Sequence, residues 1–158
     1  MDTIRRLRWA LWCALAGAGL GILGILVDQA WHAGQDGSLV GWEEVLQAHW
    51  LTLIAVAVTF TSMAVAARSV AGLPRPATVI VWIGFAGTCA DLVGQVWDNA
   101  MHAGGQEAGL AHTLSTVGAP VMLVCVLVAL VLTRRSRIRP AGEVTRSEEP
   151  AADRAVST

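Results

Sequence analysis

From Trp9 to Val27 the chain carries no charged side chain. This run of about 19 residues, at about 1.5 Å of helical rise each, matches the hydrocarbon thickness of a bilayer. Three further runs follow, from about Trp50 to Ala67, Ala77 to Val96 and Leu110 to Thr133, and Asp91 is the one charge among them. Lipid offers no partner for backbone N–H and C=O groups, so apolar spans of this length have to be helical. Composition agrees, with 54% hydrophobic and 15% charged residues and a mean hydropathy of +0.56. The predicted fold is an all-α membrane protein of four transmembrane helices. They cover about residues 9–33, 48–68, 77–103 and 110–133 within a domain of residues 1–139.

Breaks between the spans are equally legible. Gly72-Leu73-Pro74-Arg75-Pro76 stops one helix and starts the next, and Pro120 predicts a kink in the last. The stretch Ser38 to Leu46 either extends the second helix or lies flat on the membrane surface. Residues 140–158 lose apolar bulk and read as a disordered cytoplasmic tail. Arg5, Arg6 and Arg8, then Arg68 and Arg75, then Arg134 to Arg139 all fall on one side of the four spans. The positive-inside rule therefore places both termini in the cytoplasm and the site-bearing connectors on the extracytoplasmic face of the cell membrane. Trp31, Trp42, Trp50 and Trp97 would then mark the outer interface, and Trp9, Trp12 and Trp82 the inner one. A basic start before an apolar run also describes a signal peptide. That reading is set aside because the first span recurs later in the chain.

The recurrence is specific. Asp28-Gln29-Ala30-Trp31-His32-Ala33-Gly34 matches Asp98-Asn99-Ala100-Met101-His102-Ala103-Gly104 position by position, without a gap. Continuing the same alignment backwards pairs Gly17 with Gly87, Gly21 with Asp91 and Gly24 with Gly94. Beyond it, Ala48-His49-x-Leu51-Thr52 resembles Ala111-His112-x-Leu114-Ser115. The chain thus reads as two tandem two-helix repeats. Gly17, Gly21 and Gly24 share one helix face, as do Gly84, Gly87 and Gly94, and small residues let membrane helices approach closely. From this we expect the first and third helices to touch and to bring their Asp/His ends together.

Each repeat supplies one Asp and two His: Asp28, His32 and His49, then Asp98, His102 and His112. A four-residue spacing puts Asp and the first His on one helix face. Imidazole and carboxylate donors without thiolate suit Cu(II), Fe(II) or Zn(II) better than Ca(II) or Mg(II). Cys13, Cys89 and Cys125 stand singly in apolar runs and read as small buried residues. Asp91 lies one and a half to two turns deeper than Asp98 and is a candidate for a proton or water path, against a structural hydrogen bond to Thr88, Gln95 or a neighbouring helix. Glu44 and Glu107 each precede the second His by five residues and are candidates for supporting the ligands.

The set Asp28-x-x-x-His32 with His49, and Asp98-x-x-x-His102 with His112, resembles the copper motif in the C subunit of the particulate methane and ammonia monooxygenases. There an Asp and two His from adjacent membrane helices bind copper near the outer face. The likeness is confined to the stretches Asp28 to His49 and Asp98 to His112, and the second His follows the first at a longer distance in the first copy than in the second. It implies a copper-type site, so copper is favoured over iron or zinc, and it does not imply a monooxygenase.

Two alternatives carry different chemistry. In one, His32 with His102, or His49 with His112, are the axial pair of a b-type haem. In the other, the His and Asp residues hydrogen-bond between helices of a non-catalytic accessory or scaffold subunit. A proton-coupled transporter using Asp91 is a further idea that would need dimerisation. Nothing suggests nucleic acid, since the net charge is −1 and the basic runs border apolar spans. The expected partners are the lipid bilayer and a homo-oligomer or membrane-complex subunit. No nucleotide motif, activated nucleophile or His-Glu-x-x-His is present, so any reaction would fall to a metal or cofactor.

Overall fold

The computed structural model describes residues 3–33, 41–106 and 109–135; the side chains of Trp31, His32, Glu44 and Arg135 are not among those described. Within it the chain forms four helices: α1 (Thr3–Ala33), α2 (Trp42–Arg68), α3 (Arg75–Ala103) and α4 (Gly109–Arg135). All four are long and apolar enough to cross a membrane. Only 28% to 44% of the most apolar stretch of each is buried, and Ile22, Leu26, Val79, Val93, Val124 and Val131 point outward. In water such faces would be an aggregation surface; in a bilayer they meet hydrocarbon.

The helices run beyond the apolar segments that announced them. α1 begins at Thr3 and α2 at Trp42, because charged and polar turns can continue a helix once it has left the hydrocarbon. Trp42 to Leu46 therefore extend α2; residues 38–40 lie outside the described part, as does the tail at 140–158. Pro74 and Pro76 open α3, where a missing N–H costs no helical bond. Gly105 closes it with φ +67, a left-handed conformation that favours glycine. Its N–H donates to the His102 carbonyl at 2.9 Å, and the Gln106 N–H donates to the Met101 carbonyl at 2.9 Å. This pair of bonds caps the turn that carries His102.

α1 packs on α2 and α3 on α4, most extensively in both cases; α2 also meets α3, and α1 meets α4 along the thinnest contact. The result is an up-down-up-down ring, with α1 and α3 on opposite corners and no packing between them among the described residues. The expected contact between the first and third helices is thus overturned. Their small residues instead meet the helix that follows each in sequence. A Cβ on Gly24 would lie 2.9 Å from Thr52 N, and one on Gly94 would lie 2.6 Å from Ser115 N. Gly17 abuts Thr59, and Gly87 abuts Met122 N at 3.1 Å from where its Cβ would be.

One end of the ring is sealed. Leu7, Leu11, Ala14, Met63, Val81 and Val126 form an apolar core there, near Arg5, Arg6, Arg8, Arg68, Arg75 and Arg134. Arg134 lies 5.8 Å from the ring centre of Trp12, tying α4 to α1 by a cation–π contact. Exposed Trp9, Trp12 and Trp82 mark this end, and exposed Trp42, Trp50 and Trp97 the other. Buried Thr59 and Thr88 return their hydroxyl protons to carbonyls one turn back, at 2.7 and 2.9 Å, so they leave no polar atom facing lipid. All three cysteines are free, and Cys13 is exposed on the outside of α1, contrary to its expected burial. That position on the helix faces away from the ring, where a small polarizable side chain meets lipid as readily as protein.

Candidate functional site

Away from the arginine end, the four helices bring most of the paired Asp and His residues into one layer. Asp28 on α1 meets His49 on α2, with 3.4 Å between Oδ1 and Nε2. Asp98 on α3 meets two histidines with its two oxygens: His102 Nδ1 lies 3.6 Å from Oδ1, and His112 Nδ1 on α4 lies 3.9 Å from Oδ2. The rings of His49 and His102 are 6.2 Å apart, so the two halves of the layer adjoin across the α2–α3 boundary. His112 is the most exposed of the described histidines, with 76% of its side chain accessible.

The proton on His102 can be placed. Its Nδ1 is 2.9 Å from the carbonyl oxygen of Asp98, which can only accept, so Nδ1 carries the hydrogen. Nε2 is then the nitrogen through which the neutral ring would bind a metal. Among the described residues, however, no three His, Cys, Asp or Glu side chains are grouped so as to hold a metal ion. His32 falls in the last turn of α1, four residues after Asp28, with its side chain outside the description. Glu44 lies in the first turn of α2, also without a described side chain, and Glu107 lies outside the described residues.

Below the layer Asp91 anchors a second polar group that bridges α3 and α4. The Ser115 hydroxyl donates to Asp91 Oδ1 at 2.8 Å, and the Gln95 amide donates to Ser115 Oγ at 2.7 Å. Of the partners considered for Asp91, the neighbouring helix supplies the bond; Thr88 turns instead to the Gly84 carbonyl. One turn above Gln95, Asn99 donates to the Gln95 carbonyl at 2.8 Å, while its buried Oδ1 has no hydrogen-bond donor among the described residues.

No protein-family model, no curated protein and no solved structure matches the chain. Function must therefore be read from the site itself.

A cavity of about 590 Å³ connects the two polar levels. Gly17, Thr59 and Met122 lie at its deep end, Asp91, Gln95 and Ser115 on its wall, and Asp28, His49, Asp98 and His112 at its top. Sequence reasoning missed Ser115. Its only trace was the match of His49-x-Leu51-Thr52 with His112-x-Leu114-Ser115, which put Ser115 one helical turn below a candidate ligand. The cavity had no trace at all, because it is made by what the ring leaves empty.

Proposed function

We propose that this membrane protein binds a transition-metal ion in its Asp/His layer, with copper favoured over iron or zinc. The layer faces the extracytoplasmic side and both termini lie in the cytoplasm, as the positive-inside rule reads the arginine distribution. One observation carries the proposal: matched residues make a carboxylate-to-imidazole contact twice, Asp28 with Nε2 of His49 and Asp98 with Nδ1 of His112. Both contacts sit one turn above a matched glycine crossing, Gly24 on Thr52 and Gly94 on Ser115. The shift that carries Asp28 onto Asp98 also carries Gly24 onto Gly94, and the shift that carries His49 onto His112 also carries Thr52 onto Ser115. This supports a tandem duplication of an α-helical hairpin with its polar pair included.

Donor atoms each about 2.0–2.2 Å from one tetrahedral ion stand about 3.4 Å apart. The Asp28–His49 separation has that value, and the His102 ring of the other half lies 6.2 Å from the His49 ring. Asp28 and His49 would hold the ion from one hairpin and Asp98, His102 and His112 from the other, with His32 available by its match to His102. Asp91, about 10 Å below Asp98 by helical rise, is too deep to be a ligand.

A second reading is favoured by the absence of any three-residue metal-holding group among the described residues. The Asp–His pairs would then be interhelix hydrogen bonds of a scaffold or accessory subunit. The two readings separate on elemental analysis and visible absorption of the protein purified in detergent. We expect one or two equivalents of copper, iron or zinc, lost in the His49→Ala/His112→Ala variant, and no Soret band. Absence of metal after supplementation with each ion leaves the scaffold, and a Soret band turns the assignment to haem.

A further inference from the structure

The cavity beneath the Asp/His layer has a chemistry that metal binding does not use. Its volume, about 590 Å³, lies within the range of small-molecule sites. Most of its wall is apolar, and on the α1–α4 side it is lined by Ile22, Ile25 and Pro120, which are themselves exposed on the outside of the bundle. That side is also where the ring is most thinly packed. A ligand can therefore enter from the hydrocarbon instead of from water.

The wall is acidic and rich in acceptors. Asp91 lies on it at mid-depth, 7% exposed, and accepts one hydrogen bond from a neutral hydroxyl. The chain contains no lysine, and every described arginine lies towards the other end of the bundle. His49 and His112, the bases at the cavity top, already face Asp28 and Asp98. The donors nearest Asp91 are committed, Ser115 to Asp91 and Gln95 to Ser115. Pro120 has no N–H, so the Thr116 carbonyl beside the cavity lacks its usual helical donor. An anion would face the Asp91 carboxyl and the Thr116 carbonyl, both acceptors, whereas a cation would find in Asp91 a counter-charge in a medium where an unpaired charge is costly.

We infer that this cavity binds a lipophilic organic cation, a quaternary or protonated amine or its phosphonium analogue, which enters from the bilayer between α1 and α4 and sets its charge against Asp91. The site lies below the metal layer in the same cavity, and its charge contact is with Asp91, which the metal layer does not use.

The test uses tetraphenylphosphonium as probe and neutral triphenylphosphine oxide as control, titrated calorimetrically into the purified full chain in detergent, with metal content measured on the same samples. The cation should bind saturably and the oxide should not compete with it. Asp91→Asn keeps an acceptor for Ser115 while removing the charge, and should weaken cation binding at least tenfold. Gly21→Leu should do the same by occupancy, because a Cβ there meets nothing closer than Ala55 Cβ at 3.6 Å and a longer side chain grows into the cavity. Ala119→Leu obstructs the same space from α4 and should reproduce the loss if Gly21→Leu folds poorly. All three variants should keep the wild-type metal content, whatever that is. Wild-type cation affinity in Asp91→Asn, or equal competition by the neutral oxide, overturns the inference and leaves a cavity filled by lipid tails.

Discussion

A methyl group at Gly94 would lie 2.6 Å from Ser115 N and 2.8 Å from Ala111 O, and these are backbone atoms that cannot rotate aside. Gly94→Ala should therefore force α3 from α4 and destabilise the protein by about 1–3 kcal/mol, the usual cost of overpacking. Gly19→Ala is the control. Nothing lies within 4 Å of its added Cβ, and replacing a mid-helix glycine should leave stability unchanged or raise it by about 0.5–1 kcal/mol. Unfolding in mixed detergent, followed by circular dichroism, distinguishes the two; equal stability of both variants would refute the close crossing. The glycine spacing was legible as a packing face because the helical period places such residues in line. Which helix it packs on was not, since the period says nothing about what stands opposite.

At the scale of helices, the polar relay from Gln95 through Ser115 to Asp91 joins α3 to α4 inside the apolar span. Ser115→Ala removes the donor to Asp91 and the acceptor for Gln95 together. It should cost about 1 kcal/mol, the scale of interhelix hydrogen bonds in membranes. The same change in an Asp91→Gly background, which restores the residue found at the matched position 21, should cost clearly less. A double-mutant cycle in detergent measures the difference, and additive effects would show that the two side chains are not coupled. Asp91 stands where the other hairpin has Gly21, and that substitution was visible in the sequence as a break in the repeat. Its partner was not visible, because a hydrogen bond between helices depends on their relative rotation and register.

The whole molecule has two unlike ends, one sealed by apolar packing beneath arginines and one opening into a cavity beneath carboxylates and imidazoles. If the arginine end is cytoplasmic, a cysteine placed at Gln106 in a cysteine-free background should react with an impermeant maleimide applied to intact cells. A cysteine at Ala71, exposed in the turn between α2 and α3, should react only after permeabilisation. The opposite labelling pattern would invert the topology and put the Asp/His layer in the cytoplasm. Both sites lie in turns outside the helices, so the substitutions should leave packing intact.

The sequence by itself determined four helical spans, their approximate limits and the sharing of one end by the Asp and His residues. It could do so because a bilayer admits few backbone states and because apolar runs, charges and the helical period are local properties. Tertiary structure alone decided that α1 lies beside α2 and across the ring from α3, that Asp28 meets His49, that Asp91 takes its hydrogen bond from Ser115, and that a cavity connects the two polar levels. Those facts depend on the register and rotation of one helix against another. Close contacts such as Gly24 on Thr52 and Gly94 on Ser115 set that register only once the chain has folded.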